Sequence, residues 1–194
     1  MANADAAFGF RPINKDGSPY SGATVRCVIA TTSTAACFIG DPVKLHANGS
    51  VSGYQAVAQA ATTDPVYGVV TAFEANPDAL GDQYRKTVTQ RFCQVVRANQ
   101  GQFFEVQSDD DTTALAETGV GLNATYLIGT GSTFYGTSGA ELDSNTAAAT
   151  SSLDLQIHGL VDRADNLLAG TGSTNKNVIV TFNDSQSKNF RTGV

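Results

Sequence analysis

His46 and His158 are the two imidazoles of this sequence, and imidazole is the side chain best suited to move protons near neutral pH. A catalytic imidazole needs a nucleophile or an orienting carboxylate within reach. His46 stands beside the turn sequence ANGS, whereas His158 lies on the polar side of the alternating run SLDLQIHGLV. These contexts are unrelated, and neither histidine reads as a base. The patterns G-x-S-x-G and H-E-x-x-H and the nucleotide-binding glycine fingerprints do not occur. GTGST occurs at Gly129–Thr133 and again at Gly170–Thr174, but a phosphate loop needs G-x-x-x-x-G-K-[ST]. Each copy therefore reads as a flexible loop between strands.

The acidic cluster SDDDT, Ser108–Thr112, could offer oxygens to a calcium ion. The EF-hand spacing is missing, so the cluster reads as a solvated turn with Asp111 capping a short helix that ends at Gly119. VDRADN, 161–166, reads as a carboxylate–guanidinium network of Asp162, Arg163 and Asp165, or as a polar contact to a partner subunit. Cys27, Cys37 and Cys93 are odd in number and lack CxxC spacing, which excludes a disulfide framework and a zinc site. They read as buried, reduced thiols of a protein made in a reducing cytoplasm. No catalytic residue, metal or cofactor is expected.

Recognition chemistry concentrates instead in AAFGFRPINKDGSPYSGA, Ala6–Ala23. Phe8 and Phe10 are two residues apart, so an extended chain points both to one side. Gly9 lets the backbone lie flat against a neighbour. Arg11 is a fork for a carboxylate or a carbonyl. Pro12 fixes its own φ and biases Arg11 towards extended geometry. With Tyr20, these make a predicted partner-binding set of Phe8, Phe10, Arg11, Pro12 and Tyr20, which docks onto another subunit. The alternative is that the rings fill this chain's own core. If they dock, removing residues 1–12 spares the fold and abolishes binding.

The elements behind these residues alternate with period two, which is the strand period. Val178, Val180 and Phe182 make one face of NVIVTFN, and Leu153, Leu155 and Ile157 one face of SLDLQIHGLV. Val88, Phe92 and Val96 share a face of KTVTQRFCQVVRAN. Further strands are predicted at 24–31, 41–45, 66–73, 102–107 and 123–129, with turns at KDG, ANGS, NPDALGD and SDDDT. AVAQAA, 56–61, is ambiguous between helix and strand. The expected fold is mainly β: a compact antiparallel β-sandwich or barrel with little helix. Residues 1–23 form an extended N-terminal arm and 24–194 a single β-rich domain. The small, polar stretch 132–152 is expected to be a long surface loop or a hairpin.

Composition narrows the class. Charged residues make up 15% of the chain, against about 25% in an average domain. The surface is therefore cheap to desolvate. The net charge of −6, with no basic cluster beyond Arg85-Lys86, excludes nucleic acid and anionic membranes as partners. MANADAAFG lacks a basic stretch followed by an apolar one, so no secretory signal is expected, and no apolar run is long enough for a membrane span. The aromatics do not suggest the exposed Trp/Tyr platform of a sugar-binding module.

Several stretches together resemble a family of small tailed-bacteriophage structural proteins that begin Met-Ala-Asn, then Phe-Gly-Phe-Arg-Pro, then Gly-x-Pro-Tyr-x-Gly. Here these are Phe8 to Pro12, then Gly17, Pro19, Tyr20 and Gly22. FFEVQSDDD, LQIHGLVDRADN and NVIVTFNDSQ are similar to the family's later strands, though NDSQ stands where an Asn-His ending is expected. The resemblance implies a non-enzymatic capsid decoration, or cement, protein. It would be a homo-oligomer, most often a trimer, on the outer surface of the virion. Its partner would be the major capsid protein, gripped by the arm. The rival reading is a receptor- or glycan-binding β-domain of a phage head or tail fibre.

Overall fold

The computed structural model describes residues 3–168 and 174–186. Within them the chain runs β1 (Arg11–Ile13), β2 (Val25–Ile29), β3 (Pro42–Val51), β4 (Tyr54–Gln59), β5 (Gly68–Phe73), β6 (Arg91–Arg97), β7 (Phe103–Gln107), β8 (Asn123–Gly129), β9 (Gly139–Ala148), β10 (Leu155–Leu160) and β11 (Asn177–Phe182). Strands 2 to 6 close a five-stranded barrel in the order β2-β4-β3-β5-β6. The others form a six-stranded sheet, β1-β7-β11-β10-β8-β9, antiparallel throughout. The mainly β expectation holds. One pairing between these strands departs from the antiparallel rule, because β2 runs parallel to β4 with Cys27 opposite Gln55.

Alternation explains the faces. Val178, Val180 and Phe182 are buried on one side of β11, and Leu155 and Ile157 on one side of β10. In β6 adjacent residues serve two cores. Cys93 and Val95 point into the barrel with Cys27, Ile29, Val43, Val57 and Val70. Val96 points the other way, into a larger core that also takes Val66, Val69 and Ala98 from the barrel side and Phe104, Tyr126, Leu155 and Phe182 from the sheet. That shared core joins barrel to sheet.

Local expectations fail where pairing or a clamp overrides a local signal. The first four residues of AVAQAA, 56–59, belong to β4, since β2 and β3 flank it on both sides and this pairing outweighs alanine's helical preference. ANGS is no turn. It lies within β3, where the register shifts between Leu45 and Ser50, and the reversal comes at Ser52 and Gly53, with φ of 53° and 80°. Two successive positive φ values suit the right-handed twist of a hairpin. Of the two expectations for residues 132–152 the hairpin holds and the long loop does not, because β9 runs from Gly139 to Ala148 as the second arm of a hairpin with β8. The helix over 111–119 shrinks to a 3₁₀ turn, Glu117–Gly119, which no side chain caps. The second GTGST lies largely outside the described residues.

Val88 leaves the face it was expected to share with Phe92 and Val96. It sits before β6, exposed, at φ 55°, an unusual conformation for a β-branched residue. The cause lies beside it. Arg85 is the largest fully buried side chain among the described residues. Its Nε donates to Thr89 O at 2.7 Å, its Nη2 donates to Ala30 O and Ser33 O at 2.8 Å each, and its Nη1 donates to Ala35 O. One guanidinium thus ties loop 30–35 to the turn before β6 over one end of the barrel. Val88 stands in the turn that this Arg85–Thr89 bond closes, which Thr89 Oγ1 also ties by donating to Lys86 O at 2.7 Å. Burial lowers the pKa of Arg85, with four carbonyl dipoles in place of a carboxylate.

The three cysteines are free and buried, as expected. Cys27 faces Cys93 across β2 and β6. Burial pushes the Cys27 thiol up to about 11 and raises the other two, so none is poised as a nucleophile.

Replacing Arg85 by Met removes four hydrogen bonds at once, two of them, to Ala30 O and Ser33 O, in buried surroundings, and a buried acceptor that loses its donor costs roughly 1–3 kcal/mol. We expect R85M to destabilise the fold by at least about 3 kcal/mol in urea unfolding, and R85K to recover only part, because an ammonium cannot span the same carbonyls.

Candidate partner-binding groove

The arm is neither free nor extended over its whole length. β1 pairs with β7 in register, Arg11 opposite Glu105 and Pro12 opposite Phe104. Beyond Ile13 the chain reverses through the KDG turn, where Gly17 N donates to Asn14 O at 2.9 Å and Gly17 has φ 80°. Ile13 then bridges to Pro19.

Phe8 and Phe10 do not share a side. Gly9 has φ 75°, which breaks the extended alternation between them. A side chain there would also clash, since a Cβ would lie 2.6 Å from Gly40 O and 2.5 Å from Ser138 Cβ. The close approach that Gly9 permits is therefore internal. Phe10 turns inward and is 1% exposed, edge-on to Tyr126 at 5.7 Å and against Phe182 at 4.9 Å. Its N–H donates to Gly40 O at 2.8 Å. Phe10 is thus a core residue of this chain, not a plug for a neighbour. Phe8 turns outward, half-buried, with the Arg11 guanidinium 4.4 Å over its ring.

All five residues singled out from the sequence nevertheless line one groove of about 670 Å³, together with Ile13, Pro19, Ile39, Gly40, Glu105 and Arg163. Its walls are largely apolar and its charges sit together. Glu105, on β7, is 3% exposed. Arg163 Nη1 donates to Glu105 Oε2 at 3.1 Å, Arg163 Nη2 lies 2.8 Å from Oε1, and Arg11 Nη1 is 3.9 Å from Oε2. Arg163 also bonds Asp165 at 3.0 Å, so the VDRADN network exists but reaches Glu105 rather than Asp162. The result is one buried carboxylate between two guanidinium groups. Arg11 keeps more than half of its side chain in solvent. Tyr20 closes the rim, its hydroxyl donating to Ala23 O at 3.0 Å. Its ring lies on Gly22, where a Cβ would meet the hydroxyl at 2.3 Å.

Two features of this face escape a reading by sequence. Glu105 carries no local sign of its role, which depends on the β1–β7 register. Phe134 and Tyr135 hide in a polar stretch, yet they are 77% and 67% exposed, packed edge-on at 4.8 Å. They form an exposed aromatic pair that was not expected. The adjacent letters F and Y between glycines were the available signal.

The histidines are not brought together. His46 lies in β3 of the barrel and shares a hydrogen bond with Thr32. His158 lies in β10 of the sheet, 2.9 Å from Thr181 Oγ1 and edge-on to Phe103. Compared with known proteins, the chain matches no family model, no curated protein and no solved structure.

The acidic turn is built into the fold. Asp109 Oδ1 accepts from Ser144 N at 3.0 Å and Ser144 Oγ at 2.7 Å, Asp110 Oδ1 accepts from Leu115 N at 3.0 Å, and Asp111 Oδ1 accepts from Asn145 Nδ2 at 2.9 Å. Among the described residues no group of three or more His, Cys, Asp or Glu side chains is placed to hold a metal. Nearby Glu141 is pushed up to about 7, first by burial and then by the charges of Asp5, Asp109, Asp110 and Asp111.

Three outcomes follow for stability. Phe10→Ala should cost about 3–5 kcal/mol, as for other buried phenylalanines. Deleting residues 1–12 should lower the melting temperature rather than spare it. Glu141 holds its proton more tightly folded than unfolded. Its contribution is therefore fully present below its ordinary value of 4.5 and is lost as pH rises to about 7. Glu141→Gln should stabilise the protein at pH 8 relative to wild type by about 1 kcal/mol, allowing for solvent screening, and change little at pH 4. Urea titrations at the two pH values read the difference.

Proposed function

We propose that this chain is a structural, non-enzymatic protein of a tailed bacteriophage, a decoration protein that braces the capsid from outside. The observation that carries the reading is the groove. The segment Phe8–Pro12, on which the family resemblance rests, contributes directly to it, as does Tyr20. These residues frame an apolar trough with paired guanidinium groups at its rim, chemistry suited to another protein surface. Apolar walls give contact area, while Arg11 and Arg163 give direction. On this reading the partners are the major capsid protein and further copies of this chain, probed at the groove by a coat subunit or a neighbouring copy. The low charge of the chain fits a surface that must be desolvated where subunits meet. The protein would be made in the bacterial cytoplasm and end on the outer face of the virion.

Co-sedimentation with purified heads stripped of decoration tests this. We expect saturable binding at hundreds of copies per head, following the coat lattice, with Phe8→Ala/Arg11→Ala binding at least tenfold more weakly. No binding to heads sinks the proposal. A handful of copies at one vertex favours the fibre-type receptor or glycan module instead.

A further inference from the structure

The hairpin loop that joins β8 to β9 presents Phe134 and Tyr135 to solvent from a rigid mount. Ser132 N donates to Thr137 O at 2.8 Å, Gly136 N donates to Ser132 O at 2.8 Å, and Tyr135 N donates to Ser132 Oγ at 3.2 Å. Beneath, Gly131 packs on Phe38, where a Cβ would lie 2.4 Å from the ring, and Phe38 stacks on Tyr84 at 4.7 Å. Gly136, at φ 72°, rests on Gln83 with room for no side chain. The loop therefore spends little conformational freedom on binding. Two adjacent exposed aromatic rings on a rigid loop mark a contact surface rather than chance exposure.

The base of this loop is also the wall of the arm groove. Ile39 N donates to Gly136 O at 2.8 Å, and Ser138 N donates to Ile39 O at 2.7 Å. Ile39, Gly40 and Thr137 line the groove, and Gly40 O receives the N–H of Phe10. An apolar trough and an aromatic projection are thus fixed side by side in one body, and neither fills the other.

We propose that copies of this chain bind one another by seating the Phe134–Tyr135 hairpin of one copy in the arm groove of the next. This rests on reading the groove as a contact surface and names its occupant. The chemistry matches. From Thr130 to Ala140 the hairpin carries no charged residue, so nothing charged is stripped of water when it enters an apolar trough. At the rim, Arg11 already stacks on one aromatic ring, that of Phe8, and a guanidinium takes a second ring readily. Area sets the form. Each ring can bury about 150–250 Å², so two rings with matching groove wall make a contact of roughly 600–1,000 Å². That is below the roughly 1,200 Å² of a stable interface. One contact alone is weak. A closed assembly, in which each copy gives a hairpin and receives one, is stable.

The test uses the full chain in solution, without heads. Sedimentation velocity of the wild type should give a mass that is a multiple of 20.2 kDa. Phe134→Ala/Tyr135→Ala should sediment as a monomer, its dissociation constant raised by about a hundredfold or more. Its melting temperature should equal that of wild type diluted until it is monomeric, since the two rings touch mainly each other and only the contact between copies is lost. A second measurement locates the seat. Thr24→Cys and Thr133→Cys proteins, which keep both rings, should form on mixing and mild oxidation a disulfide-linked pair that neither protein forms alone. A wild type that is monomeric at its highest soluble concentration overturns the proposal. So does a double variant that keeps the wild-type mass, or a mixture that fails to cross-link. Heads play no part in these readouts, so failure of the capsid role and failure of this contact are separate results.

Discussion

Phe10 holds the molecule together at the place where its two halves could part. A five-stranded barrel and a six-stranded sheet each bury one face easily, but they need a shared filling to act as one body. Phe10 adds to that filling from the segment before β1, with its ring against Tyr126 and Phe182 of the sheet and its N–H on Gly40 O in the loop that enters β3. Phe10 and its neighbour Gly9 also decide where the groove lies. Because Gly9 swings the chain through positive φ, Phe10 goes in while Phe8 and Arg11 come out. The aromatic seam and the contact surface are opposite sides of one backbone bend.

Charge is used in the same sparing way. A chain with 15% charged residues places one arginine wholly inside, satisfied by carbonyl dipoles, and buries Glu105 beneath two others. Both arrangements replace water with fixed partners, and both sit where loops must be held without regular pairing. The acidic turn follows the same rule, with each of its aspartates accepting from a named donor.

Strand existence was legible from period two wherever one face is buried and the other wet. Val178, Val180 and Phe182 are the plain case, and β8 matches its expected limits to the residue. Long-range placement was not legible. The parallel pairing of β2 with β4 depends on β3 folding back between β4 and β5, which no local pattern carries. Val88 fits an alternating face in the letters and loses it to the Arg85 clamp, a contact made across the barrel end. The groove was half legible. Its aromatic and arginine members announced themselves by type and spacing, yet whether Phe10 faced a neighbour or the chain's own core depended on φ at Gly9. Glu105 and the Phe134–Tyr135 pair needed the register and the hairpin to be known.

The two ends of the six-stranded sheet are closed off by different means. At one end stands β1, three residues long, in which Pro12 has no N–H to offer and Ile13 is already bridged to Pro19. At the other, β9 is sewn at its middle to the chain leaving β7, by the Ser108–Leu142 bridge and by Asp109 N donating to Leu142 O at 3.0 Å. An unprotected strand edge templates further strands and leads crowded chains into fibrils. With both edges blunted, neighbouring copies have little backbone ladder to extend. Crowding then favours side-chain contacts, which can be reversed, over strand addition, which tends to run on without limit.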